Sequence, residues 1–120
     1  MVQSGHVGEC AVVTERFNGR NCHALLVLTP RKEGVDSRFY VYFFYSLHGR
    51  SKIHTITTGN TIQHILSTDV KTVSVPYACL PEQTKIANFL TALDRKIESV
   101  AHQITHTQAF KKGMLQQMFV

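Results

Sequence analysis

No apolar run in this sequence approaches the ~20 residues needed to cross a bilayer, so a membrane-spanning helix is not expected. The N-terminus lacks a charged stretch followed by an apolar one, which leaves out the pattern of a secretory signal. Both absences lead to the expectation of a cytoplasmic protein with no membrane partner. Cysteine is scarce: Cys10, Cys22 and Cys79 are odd in number, scattered and without a CxxC pair. A disulfide framework does not fit, and these residues are expected to be reduced and mostly buried as small apolar side chains. Acids are few, eight against thirteen Lys and Arg, which gives a net charge of +5 and a moderate bias toward a polyanion.

The placement of the missing acids says more than their number. None lies between Asp36 and Asp69, while Arg38, His48, Arg50, Lys52, His54 and His64 all fall inside that stretch. A surface without acids can lie against phosphates, and its Thr, Ser and Asn can donate to phosphate oxygens or base edges. A half-buried sheet with a neutral polar face accounts for the charge pattern equally well.

Chemistry-bearing motifs are also lacking. No nucleophile elbow, phosphate-binding glycine loop or paired carboxylate is present. Ser4-Gly5-His6-Val7-Gly8 is too short and isolated to hold a methyl-donor cofactor, so no cofactor and no catalytic residue is expected. His6, Cys10, Cys22 and His23 do not match the paired spacings of structural zinc ligands. His102 and His106 stand four apart on a helical stretch but off its apolar stripe, and a solvated face explains them better. No metal site is expected.

What is present divides near Pro81, into residues 1–80 and 81–120. At 120 residues the chain has room for one modest domain, or part of one with an appended helix. The first part reads as strands and turns. Val12-Val13 lies in a short apolar run, Asn18-Gly19 signals a turn, and Ala24 to Leu28 is an apolar run of strand length ending at Thr29-Pro30. Arg31 to Asp36 reads as a loop. Phe39 to Leu47 suits a buried strand by its aromatics, but Phe39, Phe43 and Leu47 recur at helical spacing, and the length of the run favours a helix. Ile53, Ile56, Ile62 and Ile65, with threonines between them, suggest short strands around a Thr58-Gly59-Asn60 turn. Ser67-Thr68-Asp69 reads as a helical turn with its cap residue, and Thr72 to Val75 as a strand that Pro76 closes.

From Pro81 the period changes. Pro81 suits the first helical position, and Glu82 lies near the positive end of the helix dipole. Ile86, Leu90, Leu93, Ile97, Val100 and Ile104 then recur at alternating steps of four and three, and the rhythm runs on through Thr107, Lys111, Met114 and Met118. This is a coiled-coil seam. Phe89, Phe110 and Leu115 widen it. A helix from Glu82 to Phe119 would be about 57 Å long, too long to bury its stripe against an eighty-residue body, so its partner must be another subunit or another copy. The expected class is α+β: a β-rich part followed by one long C-terminal coiled-coil helix.

The order of particular residues is more specific. Thr58-Gly59-Asn60-Thr61-Ile62-Gln63-His64-Ile65 leads through Leu66-Ser67-Thr68-Asp69-Val70-Lys71 to Val73-Ser74-Val75-Pro76. Leu80-Pro81-Glu82-Gln83-Thr84-Lys85-Ile86-Ala87-Asn88-Phe89-Leu90 follows, then Leu93-Asp94-Arg95-Lys96-Ile97. Together these resemble the specificity (S) subunits of type I restriction-modification systems, at the end of a target-recognition domain and the start of its spacer helix. Ser4-Gly5-His6-Val7-Gly8 is similar to the family's strand-turn segment, and Lys111 to Phe119 is similar to the way its spacer helix ends. The resemblance covers essentially the whole chain.

It implies a non-catalytic part of a bacterial defence enzyme. In the family two target-recognition domains each read half of a split site in double-stranded DNA, and long helices form a spacer that holds the methyltransferase (M) subunits. Methylation belongs to M, and ATP-driven translocation and cleavage to the restriction (R) subunit. The resemblance leads to the expectation of one helix and the later part of one recognition domain here, with the family's opening strands missing before Met1. The expectation is a truncated gene product, an excised piece or half of a split subunit, pairing as a homodimer or with another S half.

Within this frame the expected DNA contacts are Arg50 and Lys52 on phosphates, with arginine also able to grip guanine, Thr58 and Asn60 at a turn, and Ser4 and His6. The expected association surface is Ile86, Leu90, Leu93, Ile97, Val100 and Ile104. A second reading stays open, an interaction-only protein that self-associates or binds M through its helix and binds no DNA.

Overall fold

The computed structural model describes residues 1–31 and 33–119. Among the described residues four α-helices follow a 3-10 turn at Glu15–Phe17: α1 (Ser37–Tyr45), α2 (Leu47–Thr55), α3 (Ser67–Val70) and α4 (Leu80–Met118). The chain forms two compact units, Met1–Ala87 and Asn88–Val120.

The expected β-rich part is not found. Among the described residues extended segments meet only in isolated antiparallel bridges, Val2 with Leu25, Ser4 with His64 and Thr58 with His64. Their hydrogen bonds are well formed: Leu26 N donates to Met1 O at 2.8 Å, Ile65 N to Gln3 O at 3.0 Å, and Thr58 and His64 exchange a pair at 2.9 and 2.8 Å. They do not extend into a ladder because the backbone turns away at each end. Gly5, Gly8, Ala24 and Gly59 all have positive φ, which takes each out of the extended region. The apolar run from Ala24 to Leu28 therefore makes one bridge, with Val27 and Leu28 left exposed. Val12-Val13 is irregular and exposed, and Thr72 to Val75 has no strand partner among the described residues. The loop expected over Arg31 to Asp36 contains Lys32, which lies outside the described residues.

Where strands were expected at Ile53 and Ile56, the chain is helical or turns out of a helix. Ser46 separates α1 from α2 by one extended residue (ψ 161°) and caps both. Its backbone N–H donates to Tyr42 O and Phe43 O, ending α1. Its Oγ accepts from Gly49 N at 3.2 Å, satisfying one of the unpaired donors that start α2. Gly49 is buried against α1, where an added Cβ would collide with Phe43 O and Phe44 Cα. The two helices can approach this closely only with glycine there.

The core of the first unit is small: Phe44 from α1, Ile53 from α2, Ile65 from the bridged segment and Val70 from α3, with Val7, Leu26, Tyr40, Phe43, Ile56 and Val73 packed around it. The helical turn expected at Ser67 forms, but its cap position is Leu66 and no side chain caps it. Of the cysteines expected to be mostly buried, Cys22 and Cys79 are exposed and Cys10 is half-buried. Cys10 Sγ donates to Gly8 O, and burial pushes its pKa up.

α4 begins one residue earlier than expected, at Leu80, so Pro81 sits in the first turn, where its missing N–H is not needed. The helix ends at Met118, one residue before the expected Phe119, and Val120 lies outside the described residues. No helix among the described residues is long and apolar enough to cross a membrane.

Candidate nucleic-acid interface

The residues expected to face DNA all belong to the first unit, in two groups. Arg50 and Lys52 lie on α2, but two residues apart on a helix they point in different directions. The Arg50 guanidinium rests over the Tyr45 ring, 5.0 Å from its centroid. The Tyr45 hydroxyl donates to Cys10 O at 3.0 Å and accepts from Cys10 N at 3.2 Å, which fixes the ring on the N-terminal segment. Lys52 is half-buried and donates from Nζ to Ser74 Oγ at 2.7 Å. It borders a shallow hollow shared by Phe43, His48, Ser74 and Pro76.

The second group surrounds His64, which bridges to Ser4 on one side and Thr58 on the other. Thr58 and Asn60 are exposed at the turn, and the positive φ of Gly59 allows the chain to reverse there. Ser4 is half-buried and His6 exposed. The structure thus brings Ser4, Thr58 and His64 into one patch. His64 supplies the backbone that joins them, a role its sequence context does not signal. Among the described residues no three His, Cys, Asp or Glu side chains converge as metal ligands, so His6, Cys10, Cys22 and His23 form no such group.

A buried polar side chain holds the start of α4 within the first unit. Gln83 is 1% exposed. Its Oε1 accepts from Asp36 N at 3.0 Å and its Nε2 donates to Ala78 O at 2.7 Å. Asp36 in turn caps α1, accepting from Arg38 N at 3.0 Å and pairing with Arg38 Nη2 at 2.7 Å. The Arg38 side chain beside it holds the Asp36 carboxyl below the usual carboxylate range, helped by the backbone N–H donors and opposed by partial burial. In the sequence Gln83 stands out only as part of the run from Leu80 to Leu90 that carries the family resemblance. Its burial one turn ahead of Ala87, itself fully buried, is the helical spacing that could have pointed to it.

Along α4 the expected seam is open except at Leu90, which is half-buried. Ile86, Leu93, Val100 and Ile104 are exposed, as are Ile97 at 67% and Phe110 at 65%. Val100, Ile104 and Thr107 line a shallow groove with Gln103 and Lys111.

Residues 2–107 match the family model described as the type I restriction modification DNA specificity domain. The MjaX type I restriction enzyme specificity subunit of Methanocaldococcus jannaschii is 26% identical over 119 residues, covering 95% of this chain and 27% of the relative. The MjaVIII type I restriction enzyme specificity subunit of the same organism is 32% identical over 80 residues, covering 66% of this chain and 19% of the relative. The chain therefore spans about a quarter or less of the length of these relatives. No solved structure matches. With its match running almost from end to end, the chain belongs to the type I restriction-modification DNA specificity domain family.

Proposed function

We propose that this chain is a non-catalytic DNA sequence-specificity module of a type I restriction-modification enzyme. Residues 1–80 contact part of a double-stranded DNA target, and the helix from residue 81 onward docks M subunits, with the R subunit joining the same assembly. The observation that carries this reading is the family match over residues 2–107. The acid-free stretch between Asp36 and Asp69, which folds into α1, α2 and the patch around His64, supports the DNA half of it. The exposed seam residues Ile86, Leu93, Ile97, Val100 and Ile104 support the docking half, because an apolar stripe in water favours a partner. Pairing with a second copy or another S half uses the same seam.

The test is a mobility shift with random duplex DNA at low salt, with and without the M subunit. A salt-sensitive shift that strengthens when M is added is the expected result. Capture of M with no shift under any condition would leave the interaction-only reading in its place.

A further inference from the structure

Helix α2 is where the acid-free stretch meets solvent at regular spacing. Gly49 and Ile53, four residues apart, form its buried edge, with Ile53 only 4% exposed. That orientation turns Leu47, Arg50, Ser51 and His54, at i, i+3, i+4 and i+7, toward the opposite side. All four are exposed, Leu47 at 88%. Lys52, bonded to Ser74, lies off this face.

The face is presented rigidly. Ser46 locks the first turn of α2, and Gly49 seats the helix directly on α1. Arg50 is held over Tyr45, itself fastened to Cys10, so less side-chain freedom is lost when the guanidinium makes a new contact. No acid occurs in α1, α2 or the chain up to Asp69 to repel a phosphate backbone.

The chemistry along the face is that of base reading. An arginine can grip the two acceptors of guanine, a serine hydroxyl and an imidazole can each donate to or accept from base edges, and an aliphatic tip can pack on a thymine methyl. A protein-docking face of this size would concentrate apolar side chains at its centre, whereas Leu47 is the single apolar group among polar ones. We propose that α2 lies in the major groove of duplex DNA and that Leu47, Arg50, Ser51 and His54 determine part of the sequence preference. This rests on the DNA-specificity reading above and deepens it.

The experiment is selection from a duplex library with a randomised core, using the full chain with M subunit, for the wild type and for Leu47→Ala, Arg50→Lys, Ser51→Ala and His54→Ala. Circular dichroism checks that each variant keeps its helix content. The expected result is a wild-type consensus that each variant relaxes at one or two positions. Discrimination there should fall by roughly 5- to 100-fold. Arg50→Lys is decisive, because it keeps the charge and removes the two-pronged grip. If it lowers discrimination at a G position and leaves the salt dependence alone, the arginine reads a base.

An identical consensus for all four folded variants would overturn the inference and leave the proposed function standing. So would a uniform loss of affinity for every sequence, or weakened capture of M with the consensus intact. A wild-type chain that retains no DNA even with M would remove the proposed function itself, and the inference with it.

Discussion

The side-chain carbonyl of Gln83 accepts the backbone N–H of Asp36 at 3.0 Å, across 47 residues of sequence. Asp36 is the N-cap of α1, and Gln83 stands in the first turn of α4. The same amide also donates to Ala78 O, so one buried side chain fastens the segment before α4, the helix start and the cap of α1 together.

Replacing Gln83 with Leu should therefore destabilise the first unit more than a change at an exposed helix position. Asp36 N and Ala78 O would each lose a partner, at about 1–3 kcal/mol for each group left buried and unpaired. Denaturant unfolding measures this. A loss within about 0.5 kcal/mol, the range of ordinary surface changes, would mean that water replaces both bonds.

Asp36 should give the first unit an acid-sensitive component. Its folded pKa is lowered, chiefly by the Arg38 side chain. The ionised carboxylate thus stabilises the fold at pH values above the unfolded value of about 3.9, and that contribution is lost as pH falls through the folded pKa. Asp36→Asn retains a good N-cap acceptor but cannot titrate. The difference in unfolding midpoint between wild type and Asp36→Asn should shrink as pH is lowered from 6 toward roughly 3. A pH-independent difference would contradict the assignment.

At Gly49 two effects oppose each other. Alanine is better than glycine in a helix by about 0.8–1.0 kcal/mol. Its Cβ would meet Phe43 O and Phe44 Cα, backbone atoms that cannot swing aside as a flexible side chain would. Overpacking typically costs about 1–3 kcal/mol, so Gly49→Ala should be net destabilising. Ser51→Ala, on the exposed side of the same helix, should instead raise stability by a few tenths of a kcal/mol at most. Thermal melts of the two variants would show opposite signs.

Arg50 and Lys52 test the electrostatic part of the proposed function. Replacing both with alanine in the assembled complex should weaken DNA binding and flatten the log–log salt dependence by roughly one to two units. Lys52 is tied to Ser74, so a change near one unit would mean that only one of the two cations displaces a counterion on binding. A folded double variant with an unchanged slope would move the DNA surface to the patch around Ser4 and His64.

The seam of α4 should govern association. Each apolar seam residue buried by a partner contributes roughly 1.5–3 kcal/mol in transfer terms. Leu93→Asp together with Ile97→Asp would put carboxylates into that seam and should abolish association, whereas Ser99→Asp, off the seam, should do little. Light scattering of the isolated chain and of its mixture with M reads the result. A wild-type chain that stays monomeric and captures no M would count against the seam as an interface.

Much of α4 was legible because its information is local. The alternating steps from Ile86 to Ile104 have one period, Pro81 suits a first turn, and no later proline interrupts them. The Leu80 to Ile97 signature carried the family for the same reason: it is a linear order of residues. Even there the bounds moved by a residue at each end.

The helix favoured over Phe39 to Leu47 and the helical turn at Ser67 form, but the rest of the first eighty residues was read as strands and turns because Val, Ile and Thr fit a pleated surface, and the strands fail. Strand propensity acts only where partners of several residues can align, and the positive φ values at Gly5, Ala24 and Gly59 confine pairing to single bridges. At α2 the sequence offers little amphipathic signal beyond Ile53, and what makes it a helix is the Ser46 cap together with the fit of Gly49 on α1. Of the candidate site, Arg50, Lys52, Thr58 and Asn60 could be named from residue type and the lack of acids. That Lys52 reaches Ser74, that Arg50 lies over Tyr45 and that the face shared by Leu47, Arg50 and His54 points to solvent depended on how α2 is rotated against its neighbours. The buried Gln83 follows the same rule. A glutamine early in a helix reads as solvated, and only the arrival of Asp36 from 47 residues away gives its amide somewhere to be buried. The sequence by itself determined the family and the long helix, whose cues lie within a few turns of chain. Which polar groups are buried, and which side of α2 faces out, was decided by the tertiary structure, because each needs a partner that is distant along the chain and near only in space.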